Sequence, residues 1–129
     1  MINSPATDFL IRLKNAYLAG NSKTTSPFSG FRVSLAELLK KYHYIADFSI
    51  EGEIKKTISI KLNSIGNGLR ISSVRVISRP GRRIYGGVSE IPWGKTPDSL
   101  IIVSTSSGVL SQKEAVAQKI GGELVAEVF

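Results

Sequence analysis

The run Leu100-Ile101-Ile102-Val103 constrains this chain more than any other stretch. A strand with one wet face alternates apolar and polar residues, so an unbroken apolar run of this length reads as a strand buried in the core. It opens into Ser104-Thr105-Ser106-Ser107-Gly108, and Ser111 followed by Glu114 three residues later is a capping-box signature for a new helix. A cluster of hydroxyls therefore sits where a core element ends. Ser and Thr hydroxyls donate and accept hydrogen bonds without carrying charge, which suits base edges, sugar hydroxyls and phosphates in fixed positions. On local sequence alone, the same residues serve equally well to satisfy a serine-rich turn.

The 129 residues, 42% of them hydrophobic, suffice for one domain or for two small halves packed together. Seventeen Lys and Arg against ten Asp and Glu give a net charge of +7, which favours a polyanionic partner such as nucleic acid or an acidic membrane surface. Cysteine is absent, so disulfides, thiolate chemistry and the usual zinc sites are excluded. The start Met1-Ile2-Asn3-Ser4-Pro5 lacks a basic segment followed by an apolar core, and no apolar run approaches the length of a membrane span. A cytosolic protein without a membrane partner is expected.

Catalysis finds little to work with. His43 is the one histidine, placed in Tyr42-His43-Tyr44 at the end of a helical pattern, and reads as a packed or surface residue. Glu51 and Glu53 flank a glycine in a hairpin turn and are followed by lysines, a solvent-exposed arrangement. Gly86-Gly87 and Gly121-Gly122 lack the spacing of phosphate or dinucleotide loops. No cofactor and no metal is expected.

Ser4 and Pro5 open a helix in which Phe9, Leu10, Leu13, Ala16 and Tyr17 recur at helical spacing until Gly20. Asp8, Arg12 and Asn15 share another face, as a polar edge that is either solvated or a binding edge. Residues 21–29 suggest a turn and a short extended segment ahead of Phe31-Arg32-Val33. Ser34 and Glu37 predict the cap of a second helix with Leu35, Leu38, Leu39 and Tyr42 on its apolar face and Lys40-Lys41 in its last turn. Antiparallel strands are expected at 44–50, 57–62 and 69–77, separated by turns at 51–53 and 63–68. A connector containing Trp93 follows, then a helix over 112–120 stopped by Gly121 and a final strand over 123–129 tied into the sheet.

The character of the chain changes near Leu69. Between Arg70 and Arg83 lie five arginines, Arg70, Arg75, Arg79, Arg82 and Arg83, and no acidic residue. Arg79-Pro80-Gly81-Arg82-Arg83 forms a rigid bend that projects guanidinium groups, with Tyr85 just beyond, a pairing suited to phosphate contacts and stacking. If about five phosphates are neutralised, the binding constant falls with salt at a logarithmic slope of roughly −3.5 to −4.5.

The segments Asp8 to Ala16, Ser78 to Tyr85, and Ser104 to Ser111 continuing through Glu114-Ala115 to Gly121-Gly122-Glu123 together resemble the small-subunit ribosomal protein S-eight family in its bacterial form. The resemblance spans almost the whole chain. It implies an α+β fold of two small packed halves. Residues 1–68 form an α/β domain with two helices and a three-stranded antiparallel sheet, and residues 69–129 a mainly β, RNA-binding domain with one short helix. It further implies a structural constituent of the small ribosomal subunit, a primary binder of the central domain of the small-subunit rRNA that helps its assembly, with no enzyme activity. Partners are that rRNA, neighbouring small-subunit proteins and, as in some members, its own messenger; the chain is a monomer outside the ribosome, in the cytoplasm or an organelle of bacterial descent. Carried over to this sequence, the RNA contacts are Ser104, Thr105, Ser106 and Gly108, with Tyr85 and Glu123 close by. Arg79, Arg82 and Arg83 and the helix edge of Asp8, Arg12 and Asn15 add backbone contacts. Lys14 replaces an arginine of the family pattern, and Gln112 stands where Asp, His or Asn is more frequent.

Two other classes fit parts of the chain. A general nucleic-acid or membrane-surface binder accounts for the arginines and leaves the hydroxyl cluster without a role. An enzyme with Ser104 or Ser106 as nucleophile needs Lys113 or His43 beside it as base.

Overall fold

The computed structural model describes residues 5–64, 66, 68–79, 81–91 and 99–129. The expected Ser4 cap, the Pro80 corner, Trp93 with the connector around it, and parts of the 63–68 turn lie outside the described residues. Helix α1 (Pro5–Leu18) is followed by β1 (Lys23–Pro27), α2 (Gly30–Lys41), β2 (Asp47–Glu51) and β3 (Thr57–Lys61). The C-terminal half comprises β4 (Val74–Val76), β5 (Tyr85–Gly86), β6 (Leu100–Thr105), β7 (Gly108–Ser111), α3 (Gln112–Ala117) and β8 (Gly122–Val128). The fold is α+β, as the sequence implies.

Phe9, Leu10, Leu13 and Tyr17 of α1 fall on one stripe and are buried, as are Leu35, Leu38 and Leu39 of α2. Both helices cover one face of an antiparallel sheet of order β1-β3-β2, in which Ile58 and Ile60 alternate inward with Thr57, Ser59 and Lys61 outward. The third strand of this sheet is β1, paired Lys23 to Lys61 through Pro27 to Thr57. The expected strand at 69–77 is instead β4, a member of the other sheet, where Val74 to Val76 pair with Val128 to Ala126. Periodicity identifies a strand but carries no information about its partner.

The second helix begins four residues before the expected cap. Ser29, in extended backbone, accepts a hydrogen bond from the Arg32 amide at 3.1 Å, while the Ser34 hydroxyl donates back to Gly30 O within the helix. Phe31-Arg32-Val33 are therefore helical.

Helices α1, α2 and α3 each end in a Schellman turn. Gly20 occupies the left-handed position after α1, but His43 (φ +66°) and Lys119 (φ +56°) occupy it after α2 and α3. Tyr44 N donates to Leu39 O and His43 N to Lys40 O, and Ile120 N and Lys119 N repeat this pattern to Ala115 O and Val116 O. This is why α3 stops at Ala117 rather than running to Ile120.

In the C-terminal sheet the order is β4-β8-β6-β7, with β5 continuing β4 along the same edge of β8. Leu100, Ile102, Ala126 and Val128 join the core under α1 and α2. Ile101, Val103 and Leu124 pack on the opposite face with Ile91 and Ala115. Both faces of β6 are thus covered, which is the physical basis of its unbroken apolar run. The C-terminus is tied down as expected, with Ser73 N donating to Phe129 O at 2.7 Å and Phe129 N to Ser73 O at 3.0 Å.

A hydrogen-bonded triangle joins the two halves. The Tyr42 hydroxyl lies 2.6 Å from Ser111 Oγ and donates within reach of Glu114 Oε1 at 3.0 Å, while Lys41 pairs with Glu114 Oε2 at 3.2 Å. Ser111 also caps α3 by accepting from Glu114 N, the box read from the sequence. Burial pushes the Tyr42 phenol above its ordinary pKa; the Ser111 bond opposes this and Glu114 adds to it.

Candidate nucleic-acid interface

The hydroxyl cluster is the tip of a hairpin rather than a strand-to-helix loop. β6 and β7 pair from Ile102–Ser111 to Thr105–Gly108, so Ser106 and Ser107 make a two-residue turn. Thr105 holds it closed, donating from Oγ1 to Gly108 O at 2.8 Å and accepting from Ser107 N at 3.1 Å. Gly108 has φ +108°, a conformation glycine adopts without strain, and open space lies where a Cβ would point. Ser106, Ser107 and Gly108 are exposed and Ser104 is half-buried. No hydrogen bond among the described residues engages the hydroxyls of Ser104, Ser106 or Ser107. Of the four hydroxyls, one builds the turn and three face outward.

Strand pairing brings Tyr85 and Glu123 to this hairpin. Glu123 of β8 lies opposite Tyr85 of β5 on one side and opposite Ser104 of β6 on the other. Residues directly opposite in antiparallel strands share a face about 5 Å apart, so the three form one row across three strands. Tyr85 is 68% exposed, available for stacking. Arg83 reaches across to Glu123 with Nη1–Oε2 3.0 Å. Beside the row lies a concavity of about 240 Å³ lined by Ala6, Phe31, Ser78, Arg83, Ser104 and Glu123. The N-terminal ends of α1 and α2 thus close onto the end of the C-terminal sheet.

Two features that sequence reading missed make this packing possible. A Cβ on Gly122 would lie 2.3 Å from Ser104 O, and one on Gly121 2.5 Å from Gly86 O, so these glycines let β8 approach its neighbours. Ser78, buried, donates to Leu124 O at 2.6 Å and accepts from Ile84 N at 2.9 Å, fastening the arginine bend to β8. Nothing in a lone serine signals such a role before the strands are paired.

The arginines do not act as one group. Arg79 and Arg82 exchange backbone bonds of 3.0 and 2.9 Å across the bend and are exposed, without a carboxylate partner among the described residues. Arg75 instead pairs with the fully buried Glu127 at 2.7 Å. Arg70 stacks over the Tyr17 ring with 5.0 Å to its centroid and donates to Tyr17 O at 3.1 Å. Arg83 therefore reaches the row beside the hairpin, while Arg79 and Arg82 are exposed on the bend just before it.

On α1, Asp8 is shared between Arg12 at 3.5 Å and Arg32 of α2 at 3.6 Å, a partner the sequence reading missed. Asn15 is exposed one turn further on. His43 and Lys113 line a separate concavity with Gln112 and Ser99, which Ser104 does not line. Gln112 is buried and occupied, accepting from Ile101 N and donating to Ser99 O, each at 2.8 Å. A nucleophile–base pair on Ser104 is not assembled. No three His, Cys, Asp or Glu side chains converge among the described residues, and none of the described helices is long and apolar enough to cross a membrane.

The family model described as ribosomal protein S8 matches residues 4–129. The small ribosomal subunit protein uS8 of Hyphomonas neptunium is 40% identical over 129 residues, covering 99% of this chain and 98% of that protein. That of Persephonella marina is 38% identical over 136 residues, and that of Mesoplasma florum 37% identical over 129, both covering 100% of each chain.

Proposed function

The chain belongs to the ribosomal protein S8 family, and from that premise we propose that the hairpin 104–108 and its flanking row are where it grips the central domain of the small-subunit rRNA. As a member it is a structural constituent of the small ribosomal subunit, an rRNA-binding protein of the cytoplasmic ribosome and not an enzyme. Its partners are the small-subunit rRNA and neighbouring small-subunit proteins.

The observation that carries the assignment is the Tyr85–Glu123–Ser104 row ending in three outward hydroxyls. A-form helices hide the major groove, so a rigid protein reads RNA through the wide minor groove, ribose hydroxyls and unpaired bases, which uncharged hydroxyls reach. Ser104 and Ser106 supply such groups, and Thr105 and Gly108 set the turn that presents them. Tyr85 offers a stacking face. Glu123 accepts hydrogen bonds from bases or riboses while Arg83 offsets its charge. Arg79, Arg82 and Arg83 contact phosphates, and Asp8, Arg12 and Asn15 extend the footprint along α1. Residues 69–129 form the RNA-binding unit and residues 1–68 its α/β support. The free protein is a monomer, and the same surface recognises a matching fold in its own messenger.

Footprinting the purified protein on small-subunit rRNA tests the assignment. Gly108→Val, which strains the turn though a Cβ meets no protein atom there, abolishes specific protection and leaves the protein folded, with a thermal midpoint lowered only by what that local strain costs. Equal protection by both proteins removes the hairpin from the site. Three phosphate contacts set a salt slope of about −2 to −2.7 for this surface alone.

A further inference from the structure

The N-terminal sheet leaves one face open, and its chemistry repeats that of the hairpin. On that face Thr25, Ser59 and Ser49 stand directly opposite one another on β1, β3 and β2, a row of hydroxyls across all three strands. In the next row Lys23 lies directly opposite Lys61, and both are exposed. Lys23, Lys61, Ser49 and Ser59, together with Ser22, Asp47 and Phe48, line a concavity of about 360 Å³, with Thr25 at its margin on β1.

Like charges opposite one another on adjacent strands destabilise a sheet. Neither lysine has a carboxylate within ion-pair distance among the described residues. Asp47, opposite Lys61 on the other side, accepts from Lys40 Nζ at 2.9 Å and from its own neighbour Phe48 N at 2.8 Å. Lys40 draws its carboxyl below the ordinary value. Glu51 shares the face but sits four residues along β2, about 13 Å away at strand rise. One end of the face is therefore cationic and hydroxyl-rich, and the carboxylate that Lys61 acts on, Asp47, is already bonded to Lys40.

We propose that this open face is a second RNA contact, in which two successive backbone phosphates seat against Lys23 and Lys61, one on each, and the Thr25–Ser59–Ser49 row meets adjoining ribose hydroxyls. The occupant is an anionic strand rather than an apolar protein surface, since two lysines and a row of three hydroxyls dominate the face and Phe48 is the one large apolar side chain among the described residues that line its concavity. The inference rests on the RNA-binding reading above and extends it to the opposite half of the molecule. A phosphate on each lysine offsets their repulsion with two attractions. Binding and fold stability then pull in opposite directions at Lys23.

Salt titration of binding to full-length small-subunit rRNA, with Lys23→Gln and Lys61→Gln beside the wild type, tests it. With both lysines engaged, the wild-type slope steepens to about −3.5 to −4.5 and each variant loses about 0.7 to 0.9 of it, roughly a fivefold to eightfold loss of affinity at 0.1 M salt. The Lys23→Gln thermal midpoint stays equal or rises, and protection by the hairpin is unchanged. The chain has no cysteine, so Thr25→Cys and Ser107→Cys each carry a single tethered hydroxyl-radical probe. Cleavage from both positions, at different rRNA segments, supports the inference. Cleavage from Ser107→Cys alone, with unaltered slopes in both lysine variants, overturns it and leaves the hairpin assignment standing. Unaltered slopes accompanied by loss of a neighbouring protein from the reconstituted subunit also overturn it, giving the face to a protein. Absence of cleavage from Ser107→Cys overturns the RNA reading itself.

Discussion

In the C-terminal sheet β6 and β8 are covered on both faces, whereas the N-terminal sheet packs α1 and α2 on one face and leaves Lys23, Thr25, Ser49 and Lys61 in water on the other. Each sheet contributes a carboxylate to an ion pair, Glu127 to Arg75 of β4 and Asp47 to Lys40 of α2, and the two are not equivalent. Glu127 has no exposed surface and meets Arg75 at 2.7 Å, while Lys40 and Asp47 meet at 2.9 Å with side chains 50% and 60% exposed. Water screens both partners of the second pair but reaches the first only from the Arg75 side, since Glu127 is sealed from it. A doubly covered sheet makes a stiff mount for a hairpin that must hold hydroxyls in position. An open sheet face keeps its polar groups available, with little invested in holding them.

Three measurements break or sharpen this contrast. Arg75→Met removes the guanidinium from a carboxylate that cannot reach solvent and costs about 3 kcal/mol, seen as a lowered urea midpoint. Asp47→Asn, in the exposed pair, lowers that midpoint far less, and comparable losses for both variants would erase the distinction. Gly122→Ala forces β8 away from Ser104 O and costs about 2 kcal/mol, with weakened rRNA binding because the Tyr85–Glu123–Ser104 row shifts. Undisturbed binding in this variant would show that the row tolerates displacement.

The smallest effects are in the pH dependence. The Tyr42 pKa is raised above 10.0, chiefly by burial, so its contribution is fully present below pH 10 and is lost as pH rises through the folded value. Tyr42→Phe removes that alkaline component. The Asp47 pKa is lowered below 3.8, chiefly by Lys40, so its contribution is present above that pH and fades as pH falls through the folded value. The slopes of stability against pH for wild type and Asp47→Asn differ only in that window, and below it the two proteins converge.

How legible each part was follows from the range of the interactions that make it. The α1 stripe, the Gly20 stop and the Ser111–Glu114 cap depend on residues a few positions apart, and each stands where the spacing put it. The α2 cap was misplaced because Ser29 and Ser34 both precede apolar helical spacing, and only the extended backbone at Ser29 separates a cap from a helical serine. His43 and Lys119 could not be read as helix stops, since glycine is the usual residue there and neither side chain signals the left-handed turn it makes.

By itself the sequence determined a buried strand at 100–103, an exposed hydroxyl cluster after it, a basic chain without cysteine, and a family resemblance that named the partner. Tertiary structure alone decided that β1 rather than β4 completes the first sheet. It also decided that Arg75 answers Glu127 while Arg79 and Arg82 meet no carboxylate among the described residues, and that Glu123 stands between Tyr85 and Ser104. The physical reason is that strand partners are chosen by packing between segments far apart in the chain, so side chains with the same local pattern become core, ion pair or binding surface according to what pairs beside them.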